Sequence, residues 1–156
     1  MSAMVRVLFA GAALSVAAVS GAAAQECPSA PAFVGVTGAN ADVRASASRI
    51  ERAEWDVAAH FASEALDSGT SSRNKAAAAI NLCAALANQR DAGTADACGQ
   101  AIAMNEDRWE AYTNRGAAYW LAGDLDAARA DFARASELGA GEAAVETNAA
   151  LAACAG

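Results

Sequence analysis

The 156-residue chain has one histidine (His60), one lysine (Lys75) and two prolines, Pro28 and Pro31. A lone histidine cannot build a histidine-based metal site without carboxylate or thiolate help. His60, beside Phe61 on the polar side of its segment, reads as a solvated side chain. No H-E-x-x-H, G-x-S-x-G or phosphate-cradling glycine loop occurs. Ser72 to Lys75 spells S-x-x-K, but the second serine and K-T-G strand that accompany this nucleophile motif are missing. Ser71 or Ser72 reads instead as a helix cap. Glu51, Glu54 and Asp56 cluster without a histidine or aromatic pocket and read as a solvated face. No cofactor is implied. With a net charge of −7, the chain also repels phosphate backbones, so nucleic acid is not an expected partner.

What is present begins with an export pattern. Arg6, an apolar run from Val7 to Val19, and Ala22-Ala23-Ala24 follow the order of a secretory signal peptide, residues 1–24, with cleavage before Gln25. The run is shorter than the about 20 residues of a membrane anchor, and no later segment is apolar enough to span a bilayer. Losing Arg6 makes the mature chain more acidic by one charge. Gln25-Glu26 stand where a lipoprotein signal needs small apolar residues ahead of Cys27. The expected location is periplasmic or secreted. There, Cys27, Cys83, Cys98 and Cys154 read as disulfide partners, with three pairings open. No C-x-x-C pair points to zinc or redox chemistry.

Residues 25–39 hold both prolines and read as a tail or loop. From Asn40 onward there is no proline, and nearly a third of the whole chain is alanine. Apolar residues recur at three and four, which predicts helix throughout. Breaks fall at Ala53-Glu54, Asp67 to Asn74, Gln89 to Gly93, Asn105 to Asp107, Gly123-Asp124 and Gly139 to Gly141. The pattern repeats. In 109–141, Tyr112, Gly116 and Tyr119 share one helical face and Gly123 turns the chain. Ala128, Phe132 and Ala135 then form the facing stripe. "INLCAAL" overlays "TNRGAAY" at a displacement of 33, and "ACGQAIAM" overlays "DFARASEL" at 34, so the turn of the earlier unit is expected to be one residue shorter.

The 109–141 unit resembles the tetratricopeptide repeat, a helix-turn-helix of about 34 residues. Arg115, where the family usually has an apolar residue, and Ala140, where it usually has proline, depart from it. The resemblance extends over 40–154, with a degenerate unit at 40–72, a further unit at 76–108 and a capping helix at 142–154. It implies an all-α, right-handed superhelical array of hairpins that binds a protein or extended peptide in its concave groove. The groove candidates are Ile80, Ala84, Thr113, Ala117, Trp120 and Leu121, with Asn81, Asn114 and Asn148 recurring at one position. A ladder of carboxamides suits a peptide backbone, since each offers a donor and an acceptor. The alternative is that these asparagines bond locally. Trp120, about 100° around the helix from Tyr119, is expected toward the groove or a neighbouring unit, the alternative being that it packs on the cap beside Leu151.

In the overlay Cys83 and Cys98 replace Gly116 and Phe132, which face each other, so they are expected to be joined. Cys27–Cys154 stays open, because the tail to Asn40 reaches at most about 45 Å, close to the length of the stacked array, and a link to another molecule is the alternative. Two other readings stand beside the interaction module. One is a small exported enzyme using Ser72 or an acidic pair. The other is an accessory subunit whose groove is filled by its own "APAFVGV" segment, Ala30 to Val36. Oligomeric state is not legible.

Overall fold

A computed structural model describes residues 27–155, so the expected signal segment lies outside the described residues. Those residues form seven helices and no β-sheet. The helices are α1 (Ala41–Glu51), α2 (Trp55–Asp67), α3 (Ser72–Gln89), α4 (Thr94–Met104), α5 (Trp109–Ala122), α6 (Leu125–Leu138) and α7 (Ala143–Cys154).

Local chemistry sets the ends. Asn40 Oδ1 accepts the N–H groups of Asp42 (2.8 Å) and Val43 (3.1 Å) and so starts α1. Ser71 caps α3 and Asp124 caps α6, each accepting an orphan N–H of the first turn. Gly123, at φ +84°, reverses the chain after α5, and only Asp124 separates it from α6. The turn between α3 and α4 is longer than that, not one residue shorter as expected, and runs from Arg90 to Gly93. Arg90 takes the left-handed conformation, and Asp91 Oδ1 then accepts the Gly93 N–H at 2.7 Å. That side-chain turn holds residues 91–93 out of the helix, so α4 is shorter than α6.

Consecutive helices pack on one another, and α1, α3, α5 and α7 also touch in order, forming a continuous layer. Alanine makes this possible. Ala58, Ala62, Ala65, Ala78, Ala79 and Ala101 are completely buried, and few large side chains are. The Ser46 hydroxyl donates to the Ala58 carbonyl and ties α1 to α2.

Two hairpins close at equivalent places by different means. Between α3 and α4, Cys83 and Cys98 are disulfide-bonded and fully buried. Between α5 and α6, the Phe132 ring lies on Gly116, where an added Cβ would come within 2.7 Å of two ring carbons. The overlay of the two units is therefore physical: a covalent link stands where its neighbour has a ring on a glycine. Changing Cys83 and Cys98 together to alanine should cost about 3 kcal/mol, the loop-closure value for a separation of 15 residues. Urea unfolding without reductant checks this, and a loss below about 1 kcal/mol would contradict the assigned role.

Arg115 has a place as well. Its Nε and Nη2 both donate to Asp131 on α6 at 2.7 Å. The guanidinium lies 5.7 Å from the Tyr112 ring centre and 5.8 Å from that of Tyr119. A paired, stacked arginine can replace an apolar residue because its flat face is weakly hydrated.

Candidate functional site

The layer made by α1, α3, α5 and α7 carries an extended segment of the same chain. An extended strand points the N–H and C=O of one residue to the same side and those of the next to the other. Ala32, Val34 and Val36 turn theirs toward three asparagines. Asn148 Oδ1 accepts from the Ala32 N–H (2.7 Å), and its Nδ2 donates to the Ala32 carbonyl (3.0 Å). Asn114 does the same to Val34, both at 2.9 Å. Asn81 repeats it with Val36, at 2.6 and 3.0 Å. Each carboxamide thus satisfies both backbone groups of one residue, and the strand crosses α7, α5 and α3 in that order.

Two rungs also reach sideways. Asn114 Nδ2 donates to the Ile80 carbonyl of α3, and Asn81 Nδ2 to the Val43 carbonyl of α1. The ladder therefore joins neighbouring helices as well as the strand. All three asparagines are buried. A fourth, missed by the sequence reading, is Asn74, which accepts from the Ala39 N–H at 3.1 Å and donates to Thr70. Its signal was available within the helix: Asn74 precedes Asn81 by two helical turns and shares its face.

The intervening residues face the other way. Phe33 packs against two clusters, that of Ile50, Ala84 and Ala85 and that of Ala117, Ala128 and Phe132. Its ring meets that of Trp55 edge-on at 6.0 Å. Gly35 touches α1 backbone, where a Cβ would come within 2.9 Å of the Ala47 carbonyl oxygen. Val36 is buried with Val43 and Ile80. At the start of the strand, Cys27 is bonded to Cys154 at the end of α7, across 127 residues of sequence. The pairing left open by the sequence is thereby fixed, and no described cysteine is free.

This corrects the expected groove. Ile80, Ala84, Thr113 and Ala117 are wholly buried, and Asn81, Asn114 and Asn148 are engaged by the chain's own tail, so none offers a free surface to a partner. The extended segment got there first. Leu121 is half-buried beside Ala87, Arg90 and Thr94. Trp120 is half-buried, in a cluster that Phe33 of the tail and Ala152 of α7 also join. It packs on the cluster of Ala117, Ala128 and Phe132, with its ring 6.4 Å from that of Phe132. The reason is helical spacing: Trp120 follows Gly116 by four and Ala117 by three, and shares their face. Trp120→Ala should therefore lower stability by about 1–3 kcal/mol. A thermal unfolding curve unchanged from wild type would show that its ring contributes nothing to this packing.

Residues of the rival enzyme reading are placed otherwise. Ser72 is exposed at the start of α3 and Asn74 is turned to the tail. Glu54 pairs with Arg49, and Glu51 and Asp56 are exposed. His60 is exposed beside Phe61. Among the described residues no group of three His, Cys, Asp or Glu side chains is placed to hold a metal ion, and no helix is long and apolar enough to cross a membrane. No protein-family model matches the chain, and no curated protein or solved structure matches it either.

Proposed function

We propose that this chain is an exported protein-interaction module of the tetratricopeptide kind, a binding scaffold and not an enzyme. The observation that carries this reading is the ladder: three asparagines at one repeat position bind alternate residues of an extended backbone through both their groups. Such recognition is indifferent to most side chains, which suits a groove for peptides. A curved array is supported by distances. Two extended residues advance about 6.7 Å, less than the 8–10 Å between packed helix axes, so side chains from successive helices must converge on the strand. The inside of a curved array provides such convergence. Export is supported by the two disulfides, which persist in oxidising compartments.

A second reading is favoured by the Cys27–Cys154 bond, which fastens the tail in place. On that reading the filled groove is structural, and partners dock on the second helices of the hairpins. Photo-crosslinking residues at Ala30 on the strand and Met104 on α4, both exposed, separate the two in periplasmic extract. Adducts at Ala30 support groove recognition and adducts at Met104 alone support the accessory subunit. Absence of adducts at either contradicts an interaction module.

A further inference from the structure

The strand in the groove spells out what the groove accepts. Backbone pairing at Ala32, Val34 and Val36 bars proline at those positions, since each N–H is used. Between them, the pocket of Trp55, Ile50, Ala84 and Phe132 takes an aromatic ring, and the Ala47 backbone admits only glycine two residues later. Next comes a buried aliphatic residue, Val36. Upstream the hold is slight: Ser29 and Ala30 are exposed, and the end is kept down by the Cys27–Cys154 bond, whose two residues are also exposed. Cys83 and Cys98, by contrast, are inaccessible.

We propose that the groove is a strand-exchange site for a foreign extended peptide of the pattern small–aromatic–any–glycine–aliphatic, and that the Cys27–Cys154 bond gates it. The proposal rests on the interaction-module reading above. With the bond intact the resident strand is fixed at both ends, at α7 and at α1, and cannot peel away. A reduced dithiol opens it. One thiolate attacks a sulfur of the exposed bond, forming a mixed disulfide and releasing the other cysteine as a thiol. The second thiol of the dithiol then displaces the remaining cysteine, leaving Cys27 and Cys154 reduced and the dithiol oxidised. Burial protects Cys83–Cys98 from the same attack. The freed end now peels from Asn148 and then from Asn114. An incoming strand takes each rung as it is vacated, so the full cost of an empty ladder is never met at once.

The test uses the full mature chain and a fluorescent peptide with the sequence of residues 28–37. Binding is read by anisotropy to the oxidised protein, to protein with only Cys27–Cys154 opened by a dithiol (checked by mass), and to Cys27→Ser. The expected result is binding to the two opened forms at least about tenfold tighter than to the oxidised one. Alanine in the peptide at the positions of Phe33 or Gly35 should weaken it by at least about tenfold. Because the resident strand competes at high effective concentration, Cys27→Ser/Gly35→Ala serves as a second receptor whose own strand is impaired. Even if that variant unfolds readily, the glycine peptide should raise its melting temperature and the alanine peptide should not. Equal binding to closed and open protein, absence of binding and of thermal rescue, or indifference to the two peptide positions would overturn the proposal. So would covalent dimers that form on reoxidation whether or not peptide is present, which would make a second copy's tail the occupant. Failure here alongside adducts at Met104 leaves the interaction-module reading standing.

Discussion

Replacing Cys27 and Cys154 together by serine should lower stability by about 4–5 kcal/mol. The bond closes a loop of 127 residues, and the loop-entropy estimate for about 100 residues is already near 4.7 kcal/mol. The dependence is logarithmic, so the nested Cys83–Cys98 bond, spanning 15 residues, shortens the unfolded loop too little to matter. Of the two disulfides this one should contribute more, although it is the one at the surface. Urea unfolding of the oxidised wild type and the double variant measures the difference. A loss smaller than that from removing Cys83–Cys98 would mean that the strand is held without help from its staple.

Asn81→Ala should cost about 3–4 kcal/mol. The side chain makes three hydrogen bonds in a fully buried site, to the Val36 N–H, the Val36 carbonyl and the Val43 carbonyl. Alanine leaves both backbone groups of Val36 without a partner, at roughly 1–3 kcal/mol each. Asn88→Ala is the control, since Asn88 is half-buried and bonds only to the Ala84 carbonyl of its own helix. It should change stability by less than about 1 kcal/mol. Asn81→Ala and Asn114→Ala combined should cost less than the sum of the two, because a strand released at one rung has less to lose at the next. Full additivity would show that the two asparagines act locally within their helices and not through a shared strand.

The helices were legible because their punctuation is chemical. Gly123 and Asp124 can be read as a turn and a cap from residue type alone, and the structure uses them so. The shared position of Asn81, Asn114 and Asn148 was legible from the repeat displacement. Their partner was legible only as an alternative, because an extended segment such as Ala30 to Val36 carries no periodicity that names its neighbour. Asn74 escaped because it lies outside the repeat register, although it shares a helix face with Asn81. Trp120 was legible only as lying toward the groove or a neighbouring unit, because its angle from Tyr119 gives a direction and not the side chains it meets. The α3–α4 turn was misjudged because an overlay counts residues between two positions, whereas Asp91 decides how many of them stay outside the helix.

Whether the chain's own tail lies in the asparagine ladder can be measured by amide hydrogen exchange of the oxidised protein. The N–H groups of Ala32, Val34 and Val36 donate to buried asparagines, whereas those of Phe33 and Gly35 face away from the ladder. Exchange should be slow at residues 32, 34 and 36 and markedly faster at 33 and 35, an alternation with the period of a β-strand although the described residues form no sheet. Uniformly fast exchange from residue 30 to 36 would contradict a tail lying in the ladder.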